Sequence, residues 1–281
     1  MLSYLRDSLR RKRARRFTRI YPARVDAYEV PGLGRVEFAN WENPLARPVP
    51  LEPATVEFFG RFIAPGDLAI DIGANVGDTT VPMALAAGRE GLTLGFDPNP
   101  YAFAILERNA ALNPERTRIV PLPFAVSERE EELYFVSSEA SFANGGVSPT
   151  RDSPHGRFVH PEKVRAVRLR ALLERDFAEW LPKLTFIKVD AEGHDAVILE
   201  SIADLLDERR PTVVAEVFGR DSREGKARLH RALARPGYEL FLVPHDFGVR
   251  APLEPVRSPE DLIGLERTMN VCARPSEAGS A

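Results

Sequence analysis

Cysteine is almost missing from these 281 residues, with Cys272 alone. A single thiol forms no internal disulfide and leaves no Cys-based zinc site. The five histidines are scattered, with none at H-x-x-x-H spacing, so the helix-borne zinc pair of metalloproteases is excluded. No apolar run approaches the ~20 residues needed to span a bilayer, and the N-terminus has no signal-type apolar region. The expectation is a cytoplasmic protein, with peripheral contact to the inner membrane surface kept as a variant. Trp41 and Trp180 are the only tryptophans, so no tryptophan-rich sugar platform stands out. A net charge of −3 argues neither for nor against nucleic acid. What remains is ordinary: 44% hydrophobic and 28% charged residues, in a length suited to one large α/β domain or two small ones.

The charge is uneven along the chain. Arg10-Arg11-Lys12-Arg13-Ala14-Arg15-Arg16 is nearly solid positive charge, preceded by Leu2, Leu5 and Leu9 at helical spacing. Residues 1–16 therefore read either as a frayed, solvated arm or as a short amphipathic basic helix suited to an anionic membrane or polymer. Residues 17–63 form an extension with an alternating strand at Gly34–Phe38 and an amphipathic helix over 53–63. From residue 64 to 275 strands and helices alternate. Strands are expected at 68–71, 92–97, near 117–121, 164–169, 185–189, 212–217 and 238–243. Helices are expected at 78–88, 100–112, 170–180, 195–206 and 222–234. Such alternation implies a parallel sheet with right-handed crossovers. Met269–Ala273 reads as a last edge strand and 276–281 as a disordered tail. Residues 137–163, rich in Ser, Gly, Pro and Asn, read as a long structureless loop, which in a compact domain is functional or disordered.

The densest signal is Asp71-Ile72-Gly73-Ala74-Asn75-Val76-Gly77-Asp78-Thr79-Thr80, placed between an apolar strand and an apolar helix. Glycines permit a tight turn and close approach of a ligand, and a helix N-terminus offers unpaired N–H groups. The spacing Gly73-x-Asn75-x-Gly77 is not the G-x-G-x-x-G of dinucleotide sites. A carboxylate at Asp71 would repel a pyrophosphate but suits a ligand ammonium, and S-adenosylmethionine carries an ammonium, a sulfonium and no phosphate. Asp97, at the end of the next strand, can accept hydrogen bonds from both ribose hydroxyls. The plainer reading is that both acids only shape turns.

The second signal is Phe186-Ile187-Lys188-Val189-Asp190-Ala191-Glu192-Gly193-His194-Asp195. Asp190, Glu192 and His194 crowd one loop at the carboxyl edge of the sheet, the edge that also holds Asp71 and Asp97. An imidazole is the base suited to neutral pH, so His194 is the first candidate to take a proton from a hydroxyl nucleophile. Asp190 and Glu216, with Glu192, alternatively read as ligands for Mg²⁺. The plain alternative is a helix N-terminal turn with an exposed histidine. Lys188, in mid-strand, reads as the partner of a neighbouring acid.

Together, DIGANVGDTT and FIKVDAEGHDAVILESI resemble the FkbM family of S-adenosylmethionine-dependent methyltransferases over roughly residues 66–218. The resemblance implies a Rossmann-like class I methyltransferase fold: a seven-stranded, mostly parallel sheet with helices on both faces and the last strand antiparallel. It implies O-methyl transfer to a sugar, glycan or small-molecule natural product. By position, Asp71, Gly73, Asn75 and Gly77 hold the methionine end, with Thr79 and Asn99 completing the cofactor set. Asp97 takes the ribose, and Phe124 and Ala125 neighbour the adenine. Asp97 departs from the Glu more usual in the family. The catalytic assignments implied are His194, Asp190 and Glu192. Competing expectations are a nicotinamide-dependent oxidoreductase, a non-catalytic cofactor-binding module and, from residues 10–16, an RNA methylase, although no separate RNA-binding domain is visible.

Overall fold

The computed structural model describes residues 2–244, 247 and 253–276. The chain opens with helix α1 (Leu2–Ala14), followed by the antiparallel hairpin β1 (Ala23–Val30) and β2 (Gly34–Trp41). Helix α2 (Pro53–Phe59) leads into the alternating core. The core begins with β3 (Leu68–Ile72), α3 (Thr80–Ala87), β4 (Leu92–Phe96), α4 (Pro100–Ala111) and β5 (Ile119–Leu122). Four strands then interrupt the rhythm: β6 (Phe124–Val126), β7 (Glu131–Ser137), β8 (Gly146–Ser148) and β9 (Phe158–Val167). Alternation resumes with α5 (Leu169–Asp176), β10 (Leu184–Val189), α6 (Asp195–Ser201), α7 (Ala203–Arg209), β11 (Thr212–Val217), α8 (Arg223–Leu233) and β12 (Tyr238–Val243). The described chain ends with β13 (Glu254–Val256), α9 (Pro259–Ile263) and β14 (Met269–Pro275).

Among the described residues the main sheet runs β13-β12-β14-β11-β10-β3-β4-β5. Strands β5, β4, β3, β10 and β11 are mutually parallel, and β14 is antiparallel to both β11 and β12. This is the Rossmann-like class I arrangement, with two corrections. The short strand β13 adds an eighth member at the edge, and Met269–Pro275 lies inside the sheet rather than at its rim. The reason is pairing: β14 satisfies the backbone of β11 on one side and β12 on the other. The expected tail at 276–281 falls outside the described residues except for Ser276, whose N–H bonds the Gly237 carbonyl at 2.8 Å.

Strands β3 and β4 are buried at every position, as expected of parallel strands covered on both faces. Leu68, Ile70 and Ile72 pack with Leu94, Phe96, Ile187 and Val189 on one side. Ala69, Phe186, Val214 and Cys272 face the other, against Phe58, Phe59 and Met83. Phe59 meets Phe186 edge-to-face at 5.6 Å, so α2 packs directly on the central sheet. The hairpin is fastened by two amides. Asn109 accepts from Ala39 N (2.6 Å) and donates to Ala39 O (3.1 Å), and Asn113 does the same to Glu37 at 2.8 Å each way. The two side chains thus pair the β2 edge as a neighbouring strand would.

The expected structureless loop is the largest departure. Strand β9 begins six residues before the expected 164, and β6 to β9 make a separate four-stranded sheet ordered β6-β9-β7-β8. Leu133, Phe135, Phe142, Val164 and Ala166 give it a small core of its own. Strand β8 is only three residues long, too short to leave a period in the sequence. The expected helix 195–206 is broken at Ile202 into α6 and α7. No helix among the described residues is long and apolar enough to cross a membrane.

Candidate active site

The carboxyl ends of β3, β4 and β10 open into a cavity of about 690 Å³, where open α/β sheets bind ligands. Gly73, Asn75, Asp78 and Thr79 line it from the first turn, Asp97 and Asn99 from the second, and Asp190, Glu192 and His194 from the third.

Asp71 does not border the cavity. Its carboxylate is completely buried, accepting from the hydroxyls of Thr79 (2.8 Å) and Thr80 (2.7 Å). Lys188, its register partner on β10, places Nζ 3.4 Å from Asp71 Oδ1 and 3.3 Å from Asp190 Oδ2. Burial alone would lower the ammonium's pKa, but Asp71, Asp190 and Asp78 outweigh it and hold Lys188 above its ordinary range. Asp71 is therefore a buried anchor of the turn, not the expected contact for a ligand ammonium. The acid that faces the cavity is Asp78, pushed up to about 6 by burial, against the pull of Lys188. Asp78 stands inside the same motif, but strand-end position marks Asp71 and nothing in the spacing marks Asp78.

The glycines serve the backbone more than a ligand. Gly73 has φ +81°, and a Cβ there would overlap the Asp190 carbonyl. Gly77 has φ +94°, its missing Cβ would meet Leu106 Cδ1 at 3.0 Å, and it does not line the cavity. The close approach the motif predicts is thus between β3 and β10.

Asp97 behaves as a bridge. Its Oδ2 accepts from Asn75 N (2.7 Å) and its Oδ1 from Asn99 N (2.8 Å), which ties the first turn to the second. Each oxygen keeps a lone pair for a further donor. Burial pushes its pKa up to about 7 despite the two amides. Asn99 lines the cavity, but its amide is committed: Oδ1 caps α4 at Tyr101 N (3.1 Å), and Nδ2 donates to Phe142 O (2.8 Å). Its role is to fasten the inserted small sheet to the cofactor edge. Phe124 and Ala125 also line the cavity.

The third turn is strained and acid-rich. Glu192 (φ +50°) and Gly193 (φ +94°) are consecutive left-handed residues. Asp195 holds them by accepting from Ala191 N and Gly193 N, both at 3.3 Å, and burial with nearby Asp190 pushes it to about 6. Partial desolvation and Asp190 likewise raise Glu192. Glu216, on β11, is pushed to about 8 by burial and by repulsion from Asp190, Asp195 and Glu192. Among the described residues no three His, Cys, Asp or Glu side chains group so as to hold a metal ion, so the Asp190–Glu216 site expected for Mg²⁺ finds no support. His194 is exposed, and its ring lies 6.2 Å from that of His155 at an interplanar angle of 30°. His155 comes from the segment read as a loop. It seats flat on Gly146, where a Cβ would collide with the imidazole. Burial and His194 lower its pKa.

The remaining walls come from residues without sequence signatures. Gly145, Gly146, Val147 and Pro149 approach from the inserted sheet; Phe38, Trp41, Arg47 and Pro50 approach from the hairpin side. These raised carboxylates set a stability trend. A carboxyl whose folded pKa lies above its unfolded value stabilises the fold below the unfolded pKa, and that stability is lost as pH rises through the folded one. Asp97 (about 7) and Glu216 (about 8) carry the highest of these values, so their stabilisation is lost from the ordinary carboxylate range up to about pH 8, whereas burial lowers His155 and His230 and works the other way only below their ordinary value of 6.5. The ligand-free Tm therefore falls as pH rises to about 8 and levels off above it; a rising or flat Tm up to about pH 8 would show that these acids are not held neutral.

The cavity suits a zwitterionic nucleoside without phosphates. Asp78, Asp97, Asp190 and Glu192 converge on it, a setting that would repel a pyrophosphate. Residues 71–240 match the family model described as the methyltransferase FkbM domain. No curated protein matches the chain significantly. Among solved structures, the chain is similar to a methyltransferase FkbM from Methylobacillus flagellatus KT at 13% identity and TM-score 0.44, covering 79% of this chain and 51% of that one. It thus spans about half the length of that protein. An O-methyltransferase from Bacillus cereus, in complex with SAH, gives 12% identity and TM-score 0.43 over 81% of this chain and 83% of that one. Trm5b from Pyrococcus abyssi gives 11% and 0.38 over 90% and 63%. Likenesses this distant leave the acceptor open. The match over residues 71–240, on a sheet of this strand order, establishes that the chain belongs to the FkbM family of S-adenosylmethionine-dependent methyltransferases.

Proposed function

We propose that the chain methylates a hydroxyl oxygen on a sugar, glycan or small-molecule natural product, in the cytoplasm. The observation that supports this most is the pairing, on one cavity, of an amide-oriented carboxylate for a ribose diol with the imidazole of His194, whose ring is backed by that of His155. S-adenosylmethionine, when bound, supplies an electrophilic methyl group that carries its own leaving group. Asn75, Gly73, Thr79 and Asp78 would hold its amino-acid end, Asp97 its ribose, and Phe124 and Ala125 its adenine. Lys188, pinned by Asp71 and Asp190, keeps the first and third turns in register. The acceptor would lie between the Gly145–Pro149 wall and the Trp41–Pro50 wall, with its hydroxyl toward the third turn. His194 accepts the hydroxyl proton at a ring nitrogen as the methyl group passes to the oxygen.

His194→Ala is expected to lower kcat by about 10²–10⁴-fold with donor Kd unchanged, the usual weight of a positioned base. An unchanged kcat across pH would remove His194 from the mechanism. Labelled donor incubated with fractionated host extract should mark a carbohydrate or small-molecule fraction. Label found only in RNA would replace the acceptor class proposed here.

A further inference from the structure

The catalytic reading leaves residues 2–20 unused, and they hold the most unusual surface of the chain. Among the described residues, the large hydrophobic side chains that stand exposed are Tyr4 (70%), Leu5 (53%), Leu9 (58%), Phe17 (67%), Ile20 (81%) and Phe218 (51%). All but Phe218 fall in this one segment. It also holds eight Arg and Lys residues against the single Asp7, a net +7, which leaves −10 on the rest of a chain whose total is −3.

Helix α1 arranges these groups in rows. Leu5 and Leu9 are four apart and share a face. Arg6, Arg10 and Arg13 form the adjoining row, and Lys12 flanks the leucines on the other side. The helix end is held to the body by Ala14, which is completely buried, and by a bond from Ala140 N to Arg15 O (3.4 Å). The apolar row is left facing water. Past the helix, Ile20 joins Tyr21, Trp41 and Tyr101 around a recess of about 290 Å³, and Trp41 borders the main cavity as well.

We propose that residues 2–20 dock the protein on an anionic lipid bilayer surface. A nucleic-acid arm needs the arginines alone, since phosphate contacts are made by charge. Leucines aligned beside arginines are accounted for by an interface that takes apolar side chains into its acyl boundary while cations meet the headgroups. The charge split supports one orientation: an anionic surface repels the body and attracts the arm, so the chain meets it arm first. Tyr21, half-buried next to Ile20, then lies near the interface, where amphipathic rings are favoured.

The test is co-sedimentation of the full chain with vesicles of phosphatidylglycerol mixed into phosphatidylcholine, against pure phosphatidylcholine. Binding is expected to the anionic vesicles only and to weaken as salt is raised. Leu5→Asp with Leu9→Asp should cut partitioning by about tenfold or more. Reversing Arg10, Arg11, Lys12 and Arg13 to Glu should cut it on the order of a hundredfold or more, at about fivefold per residue. Both variants should keep the wild-type Tm, since these side chains lie outside the core. The salt series on the unaltered chain decides the matter if a variant misfolds. Equal binding to neutral vesicles, or none to anionic ones, overturns the proposal. So does a double leucine variant that binds vesicles like the wild type while the chain retards an RNA duplex, which would reassign the arm to polyanions.

Discussion

Lys188→Met is expected to destabilise the fold by about 3–5 kcal/mol, the usual cost of removing one partner from a buried ion pair. Asp71 would be left completely buried with only the Thr79 and Thr80 hydroxyls for company, and Asp190 would lose the same cation. For a chain of this size the fall in Tm is on the order of 10 °C. The loss should be partly repaired by adding Asp71→Asn, because the uncompensated charge, and not the missing side-chain volume, causes most of it. Denaturant titration of the single and double variants checks this. A single variant within about 1 kcal/mol of wild type would mean that water or a shifted group solvates Asp71, and the anchor role would fall.

Asp97→Ala should cost about 10²–10⁴-fold in donor affinity. Two charge-assisted hydrogen bonds to the ribose would vanish, at about 1.5–3 kcal/mol each. The N–H groups of Asn75 and Asn99 would also lose their acceptor and let the first turn drift from the second. The pH dependence has a definite sign. The free site holds Asp97 at about 7, and only the ionised form presents acceptors on both oxygens. Donor Kd should therefore rise by up to about tenfold per pH unit below about 7 and level off above it. Calorimetric titration of the donor at several pH values reads both effects. A loss under about fivefold, or a pH-independent Kd, would place the ribose elsewhere in the cavity.

The parallel core was legible because its strands are mostly apolar runs bounded by turn chemistry. Leu68–Ile72 and Leu92–Phe96 are buried at every position, and burial on both faces writes itself into composition. Glycine conformation was legible for the same reason, since Gly73 and Gly77 sit at positive φ that only the turn requires. Inward or outward placement at a strand end was not legible. Asp71 and Asp97 both read as strand-ending acids, yet Asp71 lies inside β3, walled in by Thr79, Thr80 and Lys188, while Asp97 lies just past β4 and borders the cavity. That difference depends on register: Lys188 lies opposite Asp71 only because β10 pairs β3, and their sequence separation hides it.

The inserted sheet shows the same division. Its strands β6 and β8 are only three residues long, and β6 pairs with β9 some forty residues on, so no local period announces them, and Gly145-Gly146 with Pro149 reads as a loop. Only folding brings His155 onto Gly146 and against His194. The sequence by itself determined the family, the alternation of strands and helices in the parallel core, and the turns that follow its strands, because these depend on neighbours in the chain. Tertiary structure decided which acids meet the cavity, where the last strand inserts and which segments wall the acceptor side, because these depend on pairing and burial between residues that only the fold makes adjacent.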